Sequence, residues 1–174
     1  MATIVGTSGN DTLTGTGGDD LISGLGGNDT INGLAGNDTI DAGDGNDTVY
    51  GGTGNDTING GSGNDQIYGD QGNDTIDGGP GFDYLRYAGH TSGPPTPTQG
   101  INVQLLSGTL TDGWGGTDVF INIEGIGGTT PTNGVTLVSD TFDARGFGWS
   151  RLAINYGNSG AYNEFWGGAQ VTMS

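Results

Sequence analysis

Branched aliphatic residues recur once every nine positions between Gly6 and Arg86, where nine copies of a nine-residue unit follow one another without an insertion. We number these copies repeat 1 (6–14) to repeat 9 (78–86). The aliphatic residue is the eighth of each repeat, and mostly polar residues flank it. A triplet such as Thr39-Ile40-Asp41 is typical of a short β-strand with one side chain turned inward and two turned outward. The pattern therefore predicts nine short strands whose inward residues are Leu13, Ile22, Ile31, Ile40, Val49, Ile58, Ile67, Ile76 and Leu85.

Glycine and aspartate occupy the other half of each repeat and predict a turn, because glycine permits positive φ angles. With one strand and one turn per repeat, two repeats complete a coil, and successive coils stack at the interstrand spacing of about 4.8 Å. Odd and even repeats then form two opposite sheets and two columns of loops. The fourth-position glycines are Gly9, Gly18, Gly27, Gly36, Gly45, Gly54, Gly63, Gly72 and Gly81. The sixth-position aspartates are Asp11, Asp29, Asp47, Asp65 and Asp83 in the odd column and Asp20, Asp38, Asp56 and Asp74 in the even column.

The repeat has the form G-G-x-G-x-D-x-U-x with U aliphatic, as in GLAGNDTID (33–41) and GGTGNDTIN (51–59). This pattern resembles the RTX (repeats-in-toxin, haemolysin-type) family of calcium-binding nonapeptide repeats. The nine repeats cover 81 of the 174 residues. The resemblance implies a right-handed parallel β-roll with calcium in its turns, usually in proteins exported by a type I secretion system. The expected fold class is thus all-β, a right-handed parallel β-roll (β-solenoid) with a β-rich C-terminal cap.

The loop columns are the candidate metal site. Calcium takes six to eight hard oxygen ligands from carboxylates and backbone carbonyls. The nine column aspartates would supply the carboxylates, and the loops would supply backbone carbonyls near the nine fourth-position glycines. One site between neighbouring loops gives four sites in the odd column and three in the even column, so about seven Ca²⁺ ions are expected. The repeats carry fourteen aspartates and one arginine, a formal charge of −13 that seven divalent ions nearly cancel.

A core only one side chain thick limits the stability of such a roll. Burial of nine aliphatic side chains does not outweigh the chain entropy of a glycine-rich segment and the repulsion among its carboxylates. Metal binding to the folded state supplies the difference. A repetitive, disordered linker is the alternative, and we expect disorder as the state without calcium.

Some residues depart from the repeat. In repeat 9, Pro80 and Phe82 replace small or polar loop residues, which weakens the expectation of calcium binding at that end. Ahead of repeat 1, Thr3-Ile4-Val5 forms a partial first strand, but Ala2 stands where an aspartate would be and contributes no ligand. Five aspartates outside the two columns are expected to be solvated charges: Asp19, Asp41, Asp44, Asp70 and Asp77.

Composition excludes some classes of partner, and the first residues of the sequence indicate where the protein is located. The chain has 40 glycines, no cysteine and a net charge of −17, which excludes nucleic acid and anionic membrane surfaces as partners. No stretch approaches membrane-spanning length, so membrane insertion is not expected. The first residues, MATIVGTSGND, lack the basic and apolar regions of a signal peptide. We therefore expect an extracellular protein secreted without an N-terminal signal peptide, and the resemblance implies export by the type I secretion machinery.

Two further segments follow the repeats. In residues 87–128, Ile101, Val103 and Leu105 alternate as a half-buried strand, and Val119, Ile121 and Ile123 are predicted to do so again. This block resembles the one that often follows RTX repeats, with Asp118 and Glu124 in familiar places, and the resemblance implies that it extends or caps the roll. Residues 129–174 hold half of the fourteen aromatic residues and are interpreted as a cap, a secretion signal or both. The expected domains are 1–86, 87–128 and 129–174.

Catalysis is not expected. The single histidine, His90, rules out an HExxH zinc site, and the sequence contains no cysteine, no lysine and no G-x-S-x-G motif. Tyr84, Arg86, Tyr87 and His90 lie close together in the sequence and could imitate a polysaccharide-lyase site, but a partly exposed loop at the end of the roll explains them better.

An extracellular adhesive or surface-interaction role is the alternative function, including ice or glycan binding by the outer face of the roll. The seventh position is threonine in six repeats, and such residues would form rows at the coil spacing. Other residues interrupt these rows, and threonine is also a common exposed strand residue. The threonines are Thr12, Thr30, Thr39, Thr48, Thr57 and Thr75.

Overall fold

The computed structural model of the chain describes residues 1–87, 101–104 and 107–127, together with the backbone of four later strands. These residues are all-β and contain no helix, so no membrane-spanning helix occurs among them. Parallel strands stack in coils and form a β-solenoid of about 5 turns. The predicted all-β roll is therefore confirmed.

The strands of the repeats are short, as the aliphatic triplets predict, and they begin with the partial strand expected ahead of repeat 1. Their bounds are β1 Thr3–Val5, β2 Thr12–Thr14, β3 Leu21–Ser23, β4 Thr30–Asn32, β5 Thr39–Asp41, β6 Thr48–Thr53, β7 Thr57–Asn59, β8 Gln66–Gln71, β9 Thr75–Asp77 and β10 Tyr84–Arg86. The later strands are β11 Asn102–Gln104, β12 Thr109–Thr111, β13 Thr117–Ile121, β14 Gly125–Gly127, β15 Thr141–Asp143, β16 Leu152–Asn155, β17 Tyr162–Phe165 and β18 Gln170–Thr172.

Odd and even repeats lie in different sheets, as predicted. One sheet has the order β1-β3-β5-β7-β9-β13-β12-β11-β15-β18, and the other has the order β17-β16-β14-β10-β8-β6-β4-β2. Within the repeats, each strand pairs in parallel with the strand two repeats away, so that Ile58 lies beside Ile40 and Ile76. This register places the same position of each repeat in one straight row along the roll.

The eighth-position side chains form the core between the two sheets. From repeat 2 to repeat 9 all of them are buried, while Leu13 of repeat 1 is partly buried at the open end of the stack. Beyond the repeats, Phe120 continues the row of Ile76, and Ile126 continues the row of Leu85. The rows of core residues therefore run past the last repeat.

The strand after the repeats faces the opposite way from the prediction. Val119 and Ile121 are 46% and 56% exposed, whereas Phe120 is buried. The reason is that β13 pairs with β9 and places Asp118, not an aliphatic residue, in line with Asp74 of the even column. A one-residue slip would reverse both faces of the strand. Ile101, Val103 and Ile123 are buried as expected, and Leu105 lies outside the described residues.

The loops depend on backbone conformations that favour glycine. At the fourth position, Gly63 has a φ of +141°, and a Cβ there would overlap the carbonyl oxygen of Gly45 one coil earlier. The second position also has positive φ from repeat 3 onward, yet it is Leu25 (φ 74°), Leu34 (φ 77°) or Asp70 (φ 66°) in three repeats. Positive φ is therefore not restricted to glycine here, and the strain at those positions is of order 1–2 kcal/mol each.

We expect Gly63→Ala to lower the free energy of unfolding by more than about 1 kcal/mol, because alanine is strained at this φ and its Cβ meets backbone. The matched control is Gly18→Ala, at the fourth position of repeat 2, where a Cβ meets nothing within 4 Å. Thermal and denaturant unfolding in saturating calcium would measure both. Equal losses for the two variants would contradict the close approach of the coils.

Candidate metal centre

The column aspartates form two hydrogen-bonded ladders along the roll. The Oδ1 atom of Asp47 accepts a hydrogen bond of 2.7 Å from the backbone N–H of Asp29, one coil earlier. The backbone N–H of Asp47 in turn donates to Oδ1 of Asp65 at 2.8 Å. The same bond recurs in the even column between successive coils. From Asp20 to Asp83, each column carboxylate is thus fixed to the preceding coil through its Oδ1 atom.

The second oxygen atom of most column aspartates is buried without a hydrogen-bond partner. A charged oxygen in this state carries a desolvation cost, and a bound cation removes that cost. The seven column aspartates with such an Oδ2 atom are Asp29, Asp38, Asp47, Asp56, Asp65, Asp74 and Asp83.

Carboxylate and carbonyl oxygen atoms converge on the first glycine of the repeats, so closely that a side chain there would overlap both. A Cβ built at Gly60, the first residue of repeat 7, would lie 2.7 Å from Asp65 Oδ2 and 2.6 Å from the carbonyl oxygen of Gly78 in the next coil. At Gly33, the corresponding Cβ would lie 2.5 Å from Oδ2 of Asp38 and also from a carbonyl oxygen of the next coil. Carboxylate and carbonyl oxygens are the ligands that calcium prefers, so these residues fit the ion.

Side chains alone do not make a complete ion site in this arrangement. Among the described residues, no group of three or more histidine, cysteine, aspartate or glutamate side chains is placed to hold a metal ion. Within a column, each carboxylate instead has one acidic neighbour in the coil before it and one in the coil after it. An ion held there would take its remaining ligands from backbone carbonyls of the glycine loops and from water.

Burial raises the pKa values of six column carboxyl groups, those of Asp38, Asp47, Asp56, Asp65, Asp74 and Asp83. Desolvation raises the pKa of Asp47 and of Asp56 to about 6 and that of Asp83 to about 7. For Asp74, desolvation and the charge of Asp118 raise the pKa to about 9. Asp20 is different, because the backbone N–H of Ala2, and then that of Thr16, lower its pKa against the effect of desolvation.

A second ladder, which we did not predict, follows the fifth position of the repeats. Oδ1 of Asn46 accepts a hydrogen bond of 2.8 Å from the backbone N–H of Asn64 one coil later. Asp19 occupies this position in repeat 2, and its Oδ1 accepts the equivalent bond from Asn37, so it is more than a solvated charge. Seven of the nine repeats have asparagine at the fifth position, and this regularity was the available signal.

Two more acidic residues are buried: the prediction for Asp70 was wrong, and Asp112 was not predicted. Asp70 was expected to be solvated but is 3% exposed, and desolvation and the charge of Asp56 raise its pKa to about 7. Asp112 is fully buried in the loop before β13, where its Oδ1 accepts bonds from the N–H groups of Trp114 and Gly116. Its Oδ2 has no hydrogen-bond partner.

The four residues that imitate a lyase site do not form one cluster in the described structure. Tyr87 is buried, and its hydroxyl group donates to Oδ2 of Asp118. The guanidinium carbon of Arg86 lies 5.4 Å from the ring centroid of Tyr84. His90 lies outside the described residues. Tyr87 therefore connects the end of the repeats to β13.

Comparison with known families agrees with this geometry. The family model of the RTX calcium-binding nonapeptide repeat (4 copies) matches residues 3–31, 23–58 and 50–85. Residues 3–85 thus belong to the RTX calcium-binding repeat family, whose repeats bind calcium. No curated protein matches the chain.

We expect the metal-free protein to lose stability as the pH rises from about 4 to about 9. The pKa values of Asp47, Asp56, Asp74 and Asp83 are raised in the fold above the ordinary 3.8, so the folded state binds more protons than the unfolded state in this window. Circular dichroism of metal-depleted protein should therefore show more β-structure near pH 5 than near pH 8.

The calcium-loaded protein is the control for this prediction. Calcium requires ionised carboxylates, so its affinity should fall as the pH falls. Metal-depleted protein that gains β-structure with rising pH would contradict the burial of these carboxyl groups.

Proposed function

We propose that this protein binds calcium along both aspartate columns and that calcium binding drives its folding outside the cell. The observation that carries the proposal is the row of seven buried Oδ2 atoms without hydrogen-bond partners. Each lies on a carboxylate that is already held by a backbone N–H through Oδ1. We count about seven ions, one for each such oxygen atom.

The fold and the ions depend on each other in this mechanism. Buried carboxylates stacked along one line repel each other and oppose folding when no cation is present. An ion that binds the folded loops and not the unfolded chain stabilises the roll by mass action. Low calcium keeps the chain unfolded, and calcium at the concentrations found outside cells folds it.

This dependence suits a protein that is exported unfolded and folds after export. RTX repeat proteins are typically secreted, which supports an extracellular location and export by a type I secretion machinery. The proposed role is binding and structural rather than catalytic, with calcium as the ligand and with neither nucleic acid nor a membrane interior as partner.

One observation favours a second role for the outer surface. Thr39, Thr57 and Thr75 lie beside one another on adjacent strands and are exposed. Such a row presents hydroxyl and methyl groups at the coil spacing to an extracellular surface, a glycan or ice. Leu21 and Val119 occupy the same row, so the threonine array is short. Thermal hysteresis of the calcium-loaded protein would test the ice-binding form, and its absence would exclude that form.

We expect a cooperative transition from coil to β-structure at about 0.1–1 mM calcium, and no transition with magnesium. Far-UV circular dichroism with light scattering, from chelator to about 10 mM of either ion, would measure it. A spectrum that is already rich in β-structure in chelator would contradict calcium-driven folding.

We expect the pair of substitutions Asp47→Asn and Asp56→Asn to move the calcium midpoint at least several-fold higher, because one ligand is lost from each column. Asp44→Asn is the control, since Asp44 is exposed in the same loop as Asp47 and its substitution also removes a negative charge. Calcium titration followed by circular dichroism would compare the variants. An unchanged midpoint in the column variant would exclude these carboxylates as ligands.

A further inference from the structure

The first aspartate of each column differs from those that follow. Oδ2 of Asp11 accepts hydrogen bonds from the backbone N–H of Thr7 at 2.6 Å and from its hydroxyl group at 2.9 Å. Oδ2 of Asp20 accepts the same two bonds from Thr16, at 2.6 and 2.8 Å. In both loops the oxygen atom that is partnerless elsewhere in the columns is therefore already hydrogen-bonded.

The backbone of these two loops differs as well. The second position has positive φ in every repeat from repeat 3 to repeat 9, but not at Thr7 or Thr16. The seven residues with positive φ at that position are Leu25, Leu34, Gly43, Gly52, Gly61, Asp70 and Gly79. The threonine loops thus have a conformation of their own, in which the second residue turns its N–H and its hydroxyl group toward the column aspartate.

The same two kinds of oxygen atom converge on the first glycine of repeat 1. A Cβ built at Gly6 would lie 2.7 Å from Oδ2 of Asp11 and 2.7 Å from the carbonyl oxygen of Gly24. However, two hydrogen-bond donors already point at that carboxylate oxygen. Donor hydrogens carry partial positive charge, so they offset part of the carboxylate's negative charge and repel a cation.

At the other end of the even column, a hydroxyl group also donates to the Oδ2 atom of the last aspartate. Asp118 continues that column, because its Oδ1 accepts the N–H of Asp74 at 2.9 Å. The hydroxyl group of Tyr87 donates to its Oδ2. The odd column continues to Glu124, whose Oε2 accepts the N–H of Asp83 at 2.9 Å.

We propose that hydroxyl groups mark the two ends of the calcium array and exclude ions there. Thr7 and Thr16 occupy the place of an ion at Asp11 and Asp20, and Tyr87 occupies it at Asp118. This inference rests on the proposed calcium binding and assigns the ions to particular loops. Ions then bind at Asp29, Asp47, Asp65 and Asp83 in the odd column and at Asp38, Asp56 and Asp74 in the even column. Asp112, next to the last of these loops, is counted with the Asp74 site.

The assignment differs from the one that loop counting predicts, although the total is the same. Counting loops places a site between repeats 1 and 3 and another between repeats 2 and 4. The hydroxyl groups exclude ions from Asp11 and Asp20. At the other end, Asp118 continues the even column beyond Asp74, and Glu124 continues the odd column beyond Asp83, so these two aspartates also have a neighbouring loop. Both sets of sites are displaced by one loop toward the C-terminus.

Two matched double variants test the proposal. Asp11→Asn with Asp20→Asn, and Asp65→Asn with Asp74→Asn, each take one carboxylate from each column and remove the same charge. Native mass spectrometry and elemental analysis of calcium-saturated, desalted protein would count the bound ions, with circular dichroism to verify folding. We expect the first variant to keep the wild-type count and the second to lose about two ions.

The outcomes separate this inference from the proposed function. Loss of about two ions from the Asp11/Asp20 variant would contradict the exclusion of ions by the hydroxyl groups, and it would leave the proposed calcium binding intact. Wild-type protein without bound calcium would overturn both. If Asp65→Asn with Asp74→Asn does not fold, the single variants Asp11→Asn and Asp29→Asn make the same comparison within the odd column, with loss of an ion expected only for Asp29→Asn.

Discussion

The structure depends on carboxylates that are buried in line, one per coil, on each side of the roll. Backbone N–H groups hold one oxygen atom of every column aspartate, as in the bond from Asp29 to Asp47. The other oxygen atom has no protein partner in seven of them. Burial and the charge of Asp118 raise the pKa of Asp74 to about 9, because the arrangement opposes negative charge in the absence of a cation. A fold built in this way links its own stability to a divalent ion.

Glycine makes this arrangement geometrically possible. At Gly63 and the other fourth-position glycines from repeat 3 onward, the backbone passes so close to backbone atoms of the preceding coil that no side chain fits. At Gly60 and its equivalents, the missing side chain lets a carboxylate oxygen and a carbonyl oxygen of the next coil converge on the glycine. The same residue type therefore permits tight stacking of the coils and exposes the oxygen atoms that calcium prefers.

Most of the repeat region was predictable because its period constrains every level of structure. Once Ile40 is inward, Ile58 and Ile76 must be inward too, and their aspartates must lie in register. Prediction failed where this period ends. Val119 and Ile121 looked like the inner face of a strand, but pairing with β9 places Asp118 and Phe120 inside instead. Prediction also failed once within the repeats: Asp70 lies outside the two aspartate columns and was expected to be solvated, yet packing buries its side chain.

The amino-acid sequence by itself determined the coil, the two sheets, the two aspartate columns and the choice of an oxygen-preferring ion. These features follow from a nine-residue period and from the chemistry of glycine and aspartate, and they need no long-range information. Only the tertiary structure decided which carboxylate oxygens lack a partner. Thr7 and Thr16 look like ordinary loop substitutions, and Tyr87 is 31 residues from Asp118 along the chain. Whether a hydroxyl group reaches a carboxylate depends on the local backbone turn and on how later strands pack, and the repeat pattern specifies neither.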